Sequence, residues 1–314
     1  MVTYAACYPG QGAQKPQMAL DLHAHSQRVR DLFSLASEVC SLDLFSILQN
    51  ADGATLQQTE LTQVAITLAN RSASLVLQDL GIDFSCHAGF SLGELSAYAG
   101  SGVLDEQSLF SVVSKRGRLM AKASVDAEKT YGLLGMAAVI GLGFDAVQSV
   151  LSHMGSDTLF CANDNGPKQV VLSGTARELE RCEDALKKAG ARRIIPLRVS
   201  GPFHTPFMED AVREFSEFLE SVPCSDPQGI LYANVTGNRV ESGAEVRKLC
   251  AMQLSSPVKW ITTMEHMVHD GVSKALEIGP GSVLTGLWRS SGLSVDCTPA
   301  GTYDEIEKIR EAQA

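Results

Sequence analysis

Ser91 lies in Gly89-Phe90-Ser91-Leu92-Gly93, a G-x-S-x-G run between a short apolar stretch and a helical one. In that setting the serine occupies a tight turn from strand to helix that leaves its hydroxyl exposed. The flanking glycines suit such a turn, because side chains two residues to either side would collide where strand and helix meet. The helix N-terminus adds a favourable dipole for developing negative charge. The competing role for the same residue is an N-cap in a glycine-rich turn. A serine hydroxyl is a weak nucleophile and needs a base. Of the seven histidines, His204 stands apart, in Ser200-Gly201-Pro202-Phe203-His204-Thr205-Pro206, where two prolines and a glycine would fix its position. A loop histidine of this kind serves either as a general base or in plain packing and hydrogen bonding. His266 and His269 have the i, i+3 spacing of two metal ligands, but no third ligand is near in sequence, so a surface or interface role fits them better.

The elements that must carry these residues follow from periodicity. Tyr4–Tyr8 reads as a strand broken by Pro9-Gly10-Gln11-Gly12. Helical spacing then runs from Met18 to Cys40 and from about Glu60 to Leu80, the second with Leu61, Val64, Ala65, Leu68, Leu75 and Val76 on one stripe. A strand at Ser85–Gly89 meets a helix at Leu92–Gly100. Alternation of this kind predicts a mostly parallel sheet covered on both faces. From about 131 the rhythm changes: strand Leu133–Ile140, helix Phe144–Met154, strands Thr158–Ala162 and Gln169–Leu172, helix Ala176–Ala189 and strand Arg193–Val199. Asn163-Asp164-Asn165-Gly166-Pro167 is expected to be the turn between the two middle strands. The order βαββαβ is that of the ferredoxin-like split unit. Residues 129–199 are therefore expected to form a small subdomain inserted into a larger one made of 1–128 and 200–314. The larger pattern resumes with helix Pro206–Leu219, strand Ile230–Asn234, helices near Ala244–Leu254 and Thr262–Val268, strand Lys274–Ile278, helix Ser282–Ser290 and a terminal helix.

Composition sets the outer bounds. The chain has 314 residues, 45% hydrophobic and 20% charged, enough to bury a sizeable core in one large domain or two smaller ones. No apolar run is long enough to span a bilayer, and the N-terminus lacks the basic and apolar regions of a signal peptide, so a cytoplasmic location is expected. Eight scattered cysteines without a C-x-x-C pair read as reduced, mostly buried thiols. A net charge of −10 argues against a nucleic-acid partner. The densest positive cluster is Lys187, Lys188, Arg192 and Arg193, whose ordinary reading is a solvated helix end.

With these residues in view, the chain resembles the malonyl-CoA:acyl-carrier-protein transacylases nearly from end to end. Tyr8–Gln14 resembles their opening PGQGxQ loop, Gly89–Glu94 their GHSLGE elbow, and Arg116-Gly117-Arg118-Leu119-Met120 their arginine-bearing helix. Gly135–Val139 resembles the start of their small subdomain, Asn163–Gly174 the N-x-x-x-Q-V-V-x-S-G hairpin, and Gly201–Met208 the histidine loop. Gln253-Leu254 with Pro257-Val258, and Glu277–Gly281, resemble the two late motifs. The resemblance implies a ferredoxin-like lobe on an α/β-hydrolase-like core. It implies Ser91 as nucleophile, His204 as base, and the N–H groups of Gln11 and Leu92 as an oxyanion hole. It also implies Arg116 as a bidentate clamp on the malonyl carboxylate. His204 would be oriented by a backbone carbonyl, with Gln253 in the matching segment, and both Gln253 and Asn163 would belong to the substrate site. Phe90 departs from the family's usual histidine and places the acyl pocket's size and polarity in question. Phe203 resembles the bulky residue of malonyl-selective members and should disfavour an α-methyl branch. Malonyl-CoA and holo acyl carrier protein are the implied partners, with no cofactor or metal and a monomeric state. An acidic carrier would dock on Lys187, Lys188, Arg192 and Arg193, or alternatively on Lys115 and Arg118. Two other readings share the serine and histidine: an acyl hydrolase acting on acyl-carrier protein, which gains nothing from a carboxylate clamp, and a catalytically silent docking module.

Overall fold

The computed structural model describes residues 3–197 and 201–312. In chain order the strands are β1 (Tyr4–Tyr8), β2 (Phe84–Gly89), β3 (Leu134–Ile140), β4 (Leu159–Gly166), β5 (Gln169–Thr175), β6 (Arg193–Pro196), β7 (Ile230–Leu231), β8 (Val258–Lys259), β9 (Lys274–Glu277) and β10 (Asp296–Pro299). The helices are α1 (Leu20–His25), α2 (Gln27–Cys40), α3 (Leu44–Asn50), α4 (Thr59–Asp79), α5 (Gly93–Gly100), α6 (Glu106–Tyr131), α7 (Phe144–Met154), α8 (Ala176–Ala189), α9 (Glu209–Leu219), α10 (Gly243–Met252), α11 (Trp260–His269), α12 (Val283–Ser291) and α13 (Tyr303–Glu311). The chain is an α/β protein with two sheets, as the alternation of periods predicts.

The larger sheet has the order β10-β9-β1-β2-β7, and every pairing in it is parallel. Its central strand β1, YAACY, is buried along its whole length. Successive residues point to opposite faces, so Tyr4, Ala6 and Tyr8 join one core with α4, α5 and α6, while Ala5 and Cys7 join a second around Trp260 and Trp288. Small side chains on this strand let helices lie close on both sides. The smaller sheet has the order β6-β3-β5-β4-β8; its first four strands pair antiparallel in the ferredoxin-like arrangement. One face packs Val139, Val170 and Leu172 against Val147, Leu151, Cys182 and Leu186 of α7 and α8. The other face carries Met136, Ala138 and Val171 towards the larger sheet's core. Strand β8 comes from the later part of the chain and pairs parallel with β4, Val258 opposite Asn163.

Several expected elements differ. Met18–Cys40 is two helices, because Ser26 is extended and caps α2 through its hydroxyl. Asn163–Gly166 is strand and not turn: Asn163 pairs with Val171 and Asp164 with Val170, two irregularities absorb the extra residues, and the reversal falls at Pro167-Lys168. The strand expected to reach Val199 ends at Pro196; residues 198–200 lie outside those described. The helix expected from Pro206 begins as a 3₁₀ turn, Pro206–Met208, before α9. Strand β7 stops at Leu231, short of the expected Asn234, because the chain turns there to bring Asn234 to Ser91. The short strands β8 and β10 and the helix α3 carry too few residues to show a period. Among the described residues no helix is long and apolar enough to cross a membrane.

Candidate active site

Ser91 links β2 to α5 with φ 51°, a left-handed conformation that costs a non-glycine residue about 1 kcal/mol or more. Strand and helix cross so tightly that a Cβ on Gly89 would lie 2.0 Å from the Gly93 carbonyl carbon, and one on Gly93 would lie 2.0 Å from the Tyr8 carbonyl oxygen. The turn is held from outside. Asn234 accepts the Ser91 N–H through Oδ1 at 2.7 Å and donates through Nδ2 to the Gly89 carbonyl at 2.7 Å. Gln253 Nε2 donates to the Ser91 carbonyl at 2.9 Å. Ser91 is thus a strained elbow residue, with both its backbone polar groups engaged.

His204 follows the smaller sheet and precedes α9, also with positive φ, 60°. Its N–H donates to the Leu254 carbonyl at 3.0 Å. Its Nε2 is 2.7 Å from Ser91 Oγ, and its Nδ1 is 2.8 Å from the Gln253 carbonyl oxygen. A carbonyl only accepts, so Nδ1 carries the hydrogen and Nε2 is left to take the serine proton. Burial, and then the positive charge of Arg116, hold the imidazole down to about 4, so it is neutral at neutral pH. A backbone carbonyl does here what a buried carboxylate does in a Ser-His-Asp triad: it fixes the tautomer and ring orientation.

Above the serine lies a cavity of about 430 Å³ lined by Gln11, Ser91, Leu92, Arg116 and His204 among others. The N–H groups of Gln11 and Leu92 find no acceptor among the described residues, which leaves them free for an oxyanion. The loop carrying Gln11 presses on the elbow; a Cβ on Gly10 would lie 2.3 Å from the Phe90 carbonyl oxygen. Arg116, in the middle of α6, is 1% exposed. Its Nη1 donates to Gln63 Oε1 at 2.8 Å and its Nη2 to Gln253 Oε1 at 2.7 Å, while Nε has no partner among the described residues. Burial lowers it to about 10, so it stays charged at neutral pH. A guanidinium has five N–H donors, and those left over can take an anion. The cavity therefore combines a serine hydroxyl, a neutral imidazole, two free amides and a buried cation.

Residues 6–305 match the acyl transferase domain family. The malonyl CoA-acyl carrier protein transacylase of Staphylococcus aureus (strain MRSA252) is 32% identical over 309 residues, 98% of each chain. The protein of the same name from Haemophilus influenzae is 35% identical over 91% of each. The chain belongs to the malonyl-CoA:acyl-carrier-protein transacylase family. Among solved structures, a malonyl-transacylase in complex with its type II PKS acyl-carrier protein superposes with TM-score 0.93 at 32% identity, covering 99% of this chain and 100% of that one. An acyl carrier protein S-malonyltransferase from Vibrio cholerae superposes with TM-score 0.92 at 32% identity, over 98% and 100%.

Within this transacylase fold, the remaining candidates separate into wall, support and surface. Phe90, Phe203 and Asn163 line the cavity. Phe90 packs edge-on against Trp260, with ring centroids 5.4 Å apart, so its ring is part of the apolar wall. Gln253 does not line the cavity. It is 2% exposed and acts from behind, with its backbone on His204 and its side chain on Arg116 and Ser91. Lys187 and Lys188 are in the last turn of α8, Arg193 opens the edge strand β6 with Arg192 just before it, and none of the four lines the cavity; Lys187 is paired with Glu183 at 2.9 Å. The Nδ1 of His266 is engaged by the Gly237 carbonyl at 2.9 Å. Asn234, Gln63 and Tyr98 stand outside the motifs of the sequence, and Glu94 only closes the elbow motif, with no role implied for it. Gln63 carried a visible signal, a polar residue inside the apolar spacing of α4, where it is fully buried. Asn234 carried none, since only the fold brings it to the elbow.

Proposed function

We propose that this chain transfers a malonyl group from malonyl-CoA to the phosphopantetheine thiol of acyl carrier protein through an ester on Ser91. Ser91 Oγ attacks the thioester carbonyl as its proton passes to His204 Nε2. The oxyanion is met by the N–H groups of Gln11 and Leu92. The C–S bond breaks, and the CoA sulfur leaves with the proton held by His204. The carrier's thiol then gives its proton to His204 and attacks the ester carbonyl, and the C–O bond to Ser91 breaks as the proton returns to Oγ. The Gln253 carbonyl stabilises the imidazolium in each half, and Arg116 holds the malonyl carboxylate bidentately. Phe203 and Phe90 shape the acyl wall, with Asn163 beside them.

The observation that carries this reading is the 2.7 Å contact between Ser91 Oγ and His204 Nε2 in a cavity that also contains a buried, charged Arg116. A hydrolase for neutral acyl groups has no use for that cation. The reading extends to two lobes, 1–128 with 200–314 and 129–199, to a cytoplasmic location, and to a carrier dock on Lys187, Lys188, Arg192 and Arg193. The test is incubation with malonyl-CoA, methylmalonyl-CoA or acetyl-CoA and holo carrier protein from fatty-acid or polyketide synthesis, followed by intact mass. Malonyl-carrier should accumulate, and Arg116→Ala should cut malonyl transfer by about 100-fold or more while sparing acetyl. Loss of acyl groups to water, or equal loss on malonyl and acetyl in the variant, would count against transfer and clamp respectively.

A further inference from the structure

Glu94 lies in the first turn of α5, fully buried, and the transfer steps above give it no role. Its Oε1 accepts from the Tyr98 hydroxyl at 2.8 Å and from the Asn234 N–H at 3.2 Å, and its Oε2 accepts from Gln253 Nε2. Asn234 and Gln253 hold the Ser91 backbone with their side chains, one at its N–H and the other at its carbonyl, which also accepts from the Glu94 N–H at 3.1 Å. One carboxylate therefore sets both holds on a serine whose backbone is in the left-handed region.

The same carboxylate reaches Arg116 through a single amide. Arg116 only donates and the Ser91 carbonyl only accepts, so the Gln253 side chain must present Oε1 to the guanidinium and Nε2 to Ser91 and Glu94. Two buried opposite charges are thus separated by one side-chain amide. A direct Arg–Glu pair would occupy the fork that a substrate carboxylate needs, whereas no pair would leave an uncompensated buried cation. The relayed pair avoids both. Burial pushes Glu94 up to about 7, against the hydrogen bonds and Arg116, so the carboxylate form prevails at pH 8.

We propose that Glu94 is a positioning residue for malonyl transfer: it holds Asn234 and Gln253 on the Ser91 backbone and supplies Arg116 with a countercharge that leaves the guanidinium open. This rests on the transfer reading above. The test is Glu94→Gln at pH 8. An amide in this place must turn its NH₂ towards either Gln253 Nε2 or the Asn234 N–H, so one hold is lost whichever way it turns, and the charge is lost with it. Labelling of Ser91 by a fluorophosphonate should slow by about 10- to 100-fold, the scale set by a displacement of up to an ångström at a reacting pair. The kcat for malonyl and acetyl should fall by the same factor, and KM for malonyl-CoA should fall relative to acetyl-CoA, because the guanidinium has lost its internal anion. Glu94→Asp, which keeps the charge on a shorter arm, should restore the KM ratio and leave labelling slow.

Wild-type labelling and kcat in Glu94→Gln would overturn the proposal, as would a raised malonyl-CoA KM. If that variant does not fold, Tyr98→Phe removes one bond from the same carboxylate and should slow labelling about threefold; unchanged labelling would overturn the proposal. Wild-type protein that labels at Ser91 but fails to malonylate any carrier would sink the transfer reading alone, since labelling requires only the nucleophile.

Discussion

His204 shows how much one side chain takes from its surroundings. An exposed imidazole changes charge near 6.5; this one is held down to about 4 by burial and by Arg116. A base must be neutral to accept the serine proton, so activity should drop in part as Glu94 takes up a proton near 7 and be lost as the pH falls through about 4, where His204 does so. The kcat/KM profile for acetyl-CoA, which carries no titrating carboxylate, measures this directly. Arg116→Ala removes a positive charge that opposes protonation, so its acid limb should move to higher pH. In Glu94→Gln, which lacks the upper step, activity lost near 6.5 would mean an imidazole open to water. Ser91 and His204 were legible because each stands in turn chemistry that local sequence announces: glycines around one, prolines around the other. Gln253 was legible by segment and not by function, because backbone and side chain act in different directions.

Elements carry the constraints that residues alone do not display. The elbow works only if β1, β2 and α5 meet at backbone distance, and Gly93 is where they do so. Its Cβ would strike the Tyr8 carbonyl oxygen, a rigid backbone atom, so Gly93→Ala should destabilise the protein by about 3 kcal/mol, the upper part of the range for overpacking. Gly286, in the interior of α12, is exposed, and nothing lies within 4 Å of where a methyl group on it would stand, so Gly286→Ala should stabilise by about 0.5–1 kcal/mol. Denaturant midpoints of the two variants, which should move in opposite directions, make the comparison. The β4–β5 hairpin shows the limit of local reading. Asn163-Asp164-Asn165-Gly166 has the composition of a turn, yet partners on both sides, β5 and β8, hold Asn163 and Asp164 in a strand. Tertiary pairing overrode local preference there, and placed Asn163 in the cavity wall.

At the scale of the whole molecule the question is how an acidic partner approaches a chain of net charge −10. Arg192 and Arg193 have no ion pair among the described residues, and they lie at the edge of the smaller sheet, whose inner face lines the cavity. Replacing both by glutamate should raise KM for carrier protein by about tenfold, leave KM for malonyl-CoA unchanged, and have less effect at high salt. If both KM values move together, the dock lies elsewhere, with Lys115 and Arg118 of α6 the next surface to alter.

The sequence by itself determined the periods of helix and strand, the two sheet types, and the residues able to serve as nucleophile and base, because backbone conformation and side-chain chemistry are written within a few neighbouring positions. Tertiary structure alone decided that Ser91 and His204, 113 residues apart, would meet within hydrogen-bond distance, and that Gln253, 162 residues from Ser91, would bond its carbonyl from behind. Such contacts are fixed by how two sheets pack on common helices, and no local pattern in the chain encodes that distance.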